Sequence, residues 1–164
     1  GLITVTGGET DFRHDYGFVI NELVEVVESF ELDARGIGYD PHNADAFTAD
    51  LERFGVPLIK VIQSAKSLND ATMDMKLLVK SGMFSYDRSN ELLAWSFDNA
   101  RLTYNSFGEC KVDKMNGRKD YRHKRIDPVD ACIDAHFARL VQQEAEVVDV
   151  DAEMGDYLAM MGWG

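Results

Sequence analysis

The chain contains little cysteine and little proline, and it has no long apolar run. Its 164 residues include two cysteines and three prolines. Cys110 and Cys132 lie far apart, in no CxxC or Cys/His spacing, which argues against a zinc site and gives a disulfide framework little support. No apolar run reaches the roughly 18 residues that cross a bilayer. We therefore expect buried or idle thiols and no membrane partner.

The common motifs of nucleotide binding and of serine hydrolysis are also missing. The sequence has no GxxxxGK[ST] loop, no GxGxxG and no GxSxG, which argues against a nucleotide loop and a nucleophile elbow within this chain. Its histidines, His14, His42, His123 and His136, show no metal-ligand spacing. We expect His136 to lie on a helix face rather than to bind a metal.

Positive charge is scarce and unevenly placed. With 17 basic and 29 acidic residues the formal net charge is −12, which counts against indiscriminate binding of nucleic acid. No Lys or Arg follows Arg139. One short stretch is basic, however, and could bring phosphate to a neighbouring site or could be only a solvated loop. Its members are Arg118, Lys119, Arg122, Lys124 and Arg125.

Hydrophobic spacing predicts an α/β domain in which helices alternate with strands. Predicted strands cover residues 2–6, 34–39, 56–62 and 83–86, and predicted helices cover residues 16–30, 68–79 and 91–97. A β-hairpin is predicted over residues 100–106 and 110–114.

The last predicted helix begins near Pro128, with Asp127 as its cap. Val129, Ile133 and Phe137 would share its buried face. We place the domain at residues 1–145, followed by an acidic tail at residues 146–164 that is either a docking tail or a frayed end.

Two acidic residues stand where metal ligands commonly lie. Asp40, in the segment GYDPHNA, ends a predicted strand just before a helix, and open α/β sheets bind ligands at such strand ends. Asp127 opens the last helix, and Asp130 and Asp134 continue one face of it. Carboxylates that converge from separate elements can hold the two Mg²⁺ or Mn²⁺ ions of a nuclease. Alternatively, Asp127 is only a helix cap, and Asp130 and Asp134 are solvated.

These residues resemble the nuclease domain of tailed-phage terminase large subunits, the DNA-packaging motors. The resemblance covers residues 34–140 and keeps the order of the landmarks. After the YDPxNA segment, where x is His42, these are Leu51 to Gly55, Gln63, Ser67-Leu68, Met73 to Leu78, Asn90 to Trp95, Asn99, and Lys124 to Asp127.

The resemblance implies a ribonuclease H-like mixed sheet flanked by helices, with a hairpin before the last helix. It further implies metal-dependent cleavage of concatemeric double-stranded DNA in the cytoplasm of the host bacterium, by a phage- or prophage-encoded protein absent from the mature virion. Expected partners are an ATPase domain on the same polypeptide, the portal and the small terminase subunit. Asp40 matches the family's second catalytic acid and Asp127 its last, and we add Asp130 as a further metal ligand.

The chain departs from the family pattern in three places. His42 replaces a bulky aromatic residue and Pro128 a glycine, and neither position binds metal in the family. The first catalytic acid lies on an opening strand that we do not find before Leu2. We therefore expect a domain without its first strand. A domain that has lost catalysis and serves as an interaction module, or a resolvase- or transposase-type nuclease, are the alternative hypotheses.

Overall fold

The computed structural model describes residues 16–42, 48–87, 89–114 and 125–161, without the side chains of residues 16, 146–153 and 155–159. The predicted strand at residues 2–6, His14, Asn43, His123 and most of the basic stretch lie outside the described residues. The elements in chain order are α1 (Tyr16–Ser29), β1 (Ile37–Tyr39), α2 (Thr48–Leu51, continued by a 3-10 turn at Glu52–Phe54), β2 (Leu58–Lys60), α3 (Ala65–Lys80), α4 (Glu91–Asn99), β3 (Ala100–Tyr104), β4 (Cys110–Lys114) and α5 (Asp127–Met160).

Local side-chain chemistry sets several helix ends. Ser64 Oγ accepts from the Ser67 amide at 3.1 Å and caps α3, while Asn90 Oδ1 accepts from the Leu93 amide at 3.0 Å and caps α4. The turn after α2 stops at Gly55, whose φ of 66° is the left-handed conformation that glycine adopts without strain.

The described strands form two pairs. β1 and β2 run parallel, with Ile37 opposite Leu58, so their carboxyl ends share one edge. β3 and β4 run antiparallel, with Ala100 opposite Lys114, which confirms the predicted hairpin.

One core joins α3, α4 and α5. Leu68, Ala71 and Met75 of α3 pack with Leu93 of α4 and with Val129 and Ile133 of α5. Phe137 also packs against this core, so the buried face predicted for α5 is confirmed. Both cysteines are free thiols, and burial raises the pKa of each.

The prediction of a strand at residues 83–86 is wrong. The segment is extended, but no strand pairs with it among the residues that the structure describes. Phe84 and Tyr86 instead contact the ring of Phe97 on α4, with ring centroids 5.7 and 6.2 Å apart. The alternating apolar residues Phe84 and Tyr86 therefore contact a helix and do not indicate pairing in a sheet.

His136 lies on α5, and its side chain is buried. Its side chain is only 6% exposed, and its Nε2 lies 2.7 Å from Asp74 Oδ2, so the pair ties α5 to α3.

The start of α5 also differs by one position from the prediction. The Asp130 amide donates to the Ile126 carbonyl at 2.9 Å, which puts Asp127 inside the first turn rather than at the cap.

α5 does not end near residue 145 but continues to Met160. The start of the predicted tail thus falls inside a helix, and the division at residue 145 stays a prediction. No described helix is both long enough and apolar enough to cross a membrane.

Candidate active site

The close approach of α5 to β1 positions the site. A Cβ atom on Gly38 would lie 2.6 Å from the Asp134 carbonyl oxygen and 3.3 Å from Ala138 Cβ. Only a residue without a side chain lets the helix backbone come this near. As a result, acidic residues of α5 lie beside the strand that leads to Asp40.

Asp40 follows the last residue of β1 and is exposed. Its Oδ1 accepts a hydrogen bond from the His42 amide at 2.9 Å, an arrangement that fixes the turn and leaves the other oxygen available. The structure thus places Asp40 at the carboxyl edge of the parallel strand pair, as the sequence predicts.

Gln63 connects this edge to α5. Its Nε2 donates to both carboxylate oxygens of Asp134, at 3.0 and 3.1 Å, and its backbone carbonyl accepts from Lys111 Nζ at 3.3 Å. Three elements therefore meet at this one residue: the chain after β2, α5 and β4. Sequence reasoning marked Gln63 only as a landmark, because nothing local links residues 63 and 134.

Three acids follow one face of α5 at spacings of three and four residues: Asp127, Asp130 and Asp134. Burial and repulsion from Asp134 and Asp127 raise the pKa of Asp130 to about 6, although Lys114 and Lys111 act in the opposite direction. Burial also raises the pKa of Asp134, and repulsion from Asp40 adds to this, while the Gln63 hydrogen bond lowers it. We call Asp127, Asp130 and Asp134 the acid row.

The structure brings Asp40 to the Asp134 end of the acid row, while Asp127 stands at the opposite end and is exposed. In residues 16–42, 48–87, 89–114 and 125–161, no group of three Asp, Glu, His or Cys side chains is arranged to hold one metal ion. The donor chemistry nevertheless fits Mg²⁺ or Mn²⁺, which prefer carboxylate oxygens. A divalent cation would also neutralise partly buried negative charge that the neighbouring lysines offset incompletely.

The segment before α5 is held by α4. Asn99 Nδ2 donates to the Arg125 carbonyl at 3.2 Å, and the Val129 amide donates to Ser96 Oγ at 3.2 Å. Asn99 therefore has a structural role that its spacing in the sequence did not reveal. Arg125 is exposed, whereas Arg118, Lys119, Arg122 and Lys124 lie outside the described residues.

Comparison with known proteins agrees with this architecture. The family model "Terminase large subunit, endonuclease domain" matches residues 5–144. The crystal structure of the HK97 bacteriophage large terminase is similar, with a TM-score of 0.61 and 23% sequence identity over 76% of this chain and 25% of that one. The chain thus spans a quarter of the terminase it matches. No curated protein matches the chain. The mixed α/β fold is consistent with the ribonuclease H-like class, and the chain belongs to the family of terminase large subunit endonuclease domains.

Proposed function

We propose that this domain is a divalent-metal-dependent endonuclease that cuts concatemeric double-stranded DNA during phage genome packaging. The observation that carries the proposal is the position of Asp40, at the carboxyl edge of β1 and beside a partly buried acid row on α5. Membership of the terminase endonuclease family supports the same activity.

In this proposal Asp40 and Asp127 hold two Mg²⁺ or Mn²⁺ ions, and Asp130 contributes a further carboxylate. Bound divalent ions supply Lewis-acid stabilisation of the attacking and leaving oxygens of the phosphodiester. The raised pKa of Asp130 supports its assignment, because a carboxyl crowded by other carboxyls gains most from a neighbouring cation.

Gln63 and Lys111 act on the site through their hydrogen bonds. The two bonds from the Gln63 amide hold the Asp134 carboxylate in one orientation, and Lys111 in turn holds the Gln63 backbone. Asp134 thereby presents a fixed negative charge between Asp40 and the rest of the acid row. Such preorganisation is what a site that positions cations requires.

DNA contact is assigned to the basic stretch before α5. Arg118, Lys119, Arg122, Lys124 and Arg125 precede Asp127 in the sequence and would bind phosphates next to the acid row, offsetting the net charge of −12. The parent polypeptide would also carry an ATPase domain, bind the portal and the small terminase subunit, and work in the host cytoplasm without entering the mature virion.

The test is the nicking of supercoiled plasmid by the whole chain in Mn²⁺. We expect Asp40→Asn and Asp127→Asn each to slow nicking on the order of 100-fold, the usual cost of losing one group that stabilises the transition state. Asp70→Asn is the matched control, since Asp70 is exposed on α3 and its carboxylate bonds Asn69 rather than a residue of the acid row. Cleavage that Asp40→Asn leaves unchanged would remove Asp40 from the mechanism.

The alternative function is a domain that binds partners without cutting. It is favoured by one observation, the lack of a three-ligand cluster in the part of the chain that the structure describes. Calorimetric titration with Mn²⁺ separates the two hypotheses. Binding by the wild-type chain that Asp127→Ala abolishes would reject the alternative, and no binding by the wild-type chain would favour it.

A further inference from the structure

An open apolar groove lies between α3, α4 and the hairpin, and the beginning of α5 borders it. Its volume is about 300 Å³, and its apolar lining includes Met75 and Val79 of α3, Phe97 of α4, Leu102 of β3 and Val112 of β4. Val79 is 44% exposed although it faces other apolar side chains. The groove therefore exposes apolar surface that a partner could bury.

The rim of the groove is positively charged. Lys76 and Lys80 stand one turn apart on α3, and Arg101 lies across from them on β3. Within the described ranges, no ion pair involves any of these three cations. Thr72 also lines the groove, and its buried hydroxyl has no hydrogen-bond partner among the described residues. The groove thus combines an apolar floor, three cations and an unused donor, which suits an acidic, amphipathic segment.

The far part of α5 is a segment of that kind. After Arg139 the sequence has no Lys or Arg and has six acids: Glu144, Glu146, Asp149, Asp151, Glu153 and Asp156. Apolar residues recur at helical spacing through the same stretch, at Val147, Val150, Met154, Leu158 and Met161. The helix is continuous to Met160, and Met154 is 55% exposed.

This segment cannot reach the groove of its own chain. The groove borders Val129 and Ile133, near the beginning of α5. Met154 lies 21 residues beyond Ile133 on the same continuous helix, which corresponds to about 30 Å at 1.5 Å per residue. Only the groove of another molecule is accessible to it.

We propose that the groove receives the acidic end of α5, residues 144–161, from a second copy of this chain. Charge complementarity selects this occupant, because the segment carries six negative charges and the rim three positive ones. Duplex DNA fits less well, since phosphates gain nothing from the apolar floor. The contact would be heterologous, with a different surface on each molecule, and so would generate a ring or a chain of subunits.

The experiment measures self-association of the whole chain by sedimentation velocity over a range of concentrations and salt. One variant reverses the rim, Lys76→Glu with Lys80→Glu. A second reverses the two acids that flank the apolar stripe of the segment, Glu146→Lys with Asp151→Lys. The control, Arg53→Glu with Lys66→Glu, makes the same change in net charge as the rim reversal, at exposed residues that do not line the groove. Circular dichroism checks that each variant keeps its helices.

We expect the wild-type chain and the control to associate, and salt to weaken the association. Each reversal should weaken the association on the order of tenfold or more. An equal mixture of the two variants should restore it, because each reversed rim then meets a segment of opposite charge.

The proposal is overturned if the wild-type chain stays monomeric at every concentration, or if mixing the two variants does not restore association. If the rim reversal fails to fold, the segment reversal alone decides, since it changes residues beyond the part of α5 that borders the groove. If the rim reversal weakens retention of duplex DNA but leaves association intact, the rim serves DNA and the proposal is wrong.

Discussion

Asp130 carries a half-buried carboxyl whose nearest charged neighbours include two other carboxyls. Burial and the repulsion from Asp134 and Asp127 raise its pKa from 3.8 to about 6. The folded state therefore holds this proton more tightly than the unfolded chain does. The contribution of the protonated Asp130 carboxyl to the free energy of unfolding is complete below about pH 4. It is lost as the pH rises through about 6.

Asp130→Asn should accordingly stabilise the metal-free protein more at pH 8 than at pH 4. The full pKa shift corresponds to about 3 kcal/mol, and because the carboxyl keeps contact with solvent we expect about 1 kcal/mol. Urea denaturation in EDTA at pH 4, 6 and 8 measures the free energy of unfolding. If Asp130→Asn changes the free energy of unfolding by the same amount at all three pH values, the raised pKa of Asp130 is not the cause of the change.

At the residue scale, the sequence was informative where chemistry is local. Asp40 could be placed at a strand end because a short, mostly uncharged run precedes it at residues 34–39. Apolar residues at helical spacing follow it. The contact between Gln63 and Asp134 could not be predicted, since it joins positions 71 residues apart and depends on the docking of α5. The sequence therefore left open whether Asp134 is solvated, whereas burial raises its pKa in the structure.

Among the elements, the crossing of β1 and α5 should be the most sensitive to an added methyl group. Gly38→Ala brings a Cβ against the Asp134 carbonyl, which is backbone and cannot rotate away. We expect a loss of about 2 kcal/mol in the free energy of unfolding, typical of overpacking.

Gly36→Ala is the matched comparison for this prediction. The added Cβ would lie 2.6 Å from Gln142 Nε2, the end of a flexible side chain that can turn aside at the cost of its hydrogen bond to the Arg35 carbonyl. We expect a loss below about 1 kcal/mol. Equal losses in the two variants, measured by urea denaturation, would show that the close approach of α5 is not what requires Gly38.

Elements with a buried face were predictable, because burial imposes a period on the sequence. The apolar spacing of α3 and of the first part of α5 matches the core that the structure forms. The segment at residues 83–86 shows the limit, since an apolar pattern does not specify whether a strand or a helix lies beside it. The length of α5 was missed because its last turns are rich in acidic residues, which also suit a solvated tail.

For the molecule as a whole, metal binding should appear as stability. A ligand that binds only the folded state at 100 times its Kd adds about 2.7 kcal/mol, and for a domain of this size each kcal/mol raises Tm by about 2–4 °C. We therefore expect Mn²⁺ to raise Tm by about 5–10 °C, as measured by differential scanning calorimetry.

The double variant Asp40→Asn with Asp127→Asn should lose this increase and keep its Tm in EDTA. If Mn²⁺ raises the Tm of the double variant as much as that of the wild-type chain, the ion binds somewhere other than Asp40 and Asp127. No increase in the wild-type chain at saturating Mn²⁺ would count against the metal site itself.

The order of landmarks along the chain was sufficient to identify the family, which the match over residues 5–144 confirms. It was not sufficient to give the geometry of the site. Order is preserved by descent and by fold, whereas the separation of two carboxylates depends on how closely a helix docks on a strand.

Because α5 is one continuous helix, a small rotation near one end displaces the other end by a larger distance. Its 34 residues form one rod about 50 Å long, with the acid row near one end and its contact with Gly38 beside that row. A tilt of ~5° about this contact displaces Met154, about 30 Å away, by roughly 3 Å. The same tilt would move Asp127, about 10 Å to the other side of the contact, by roughly 1 Å relative to Asp40.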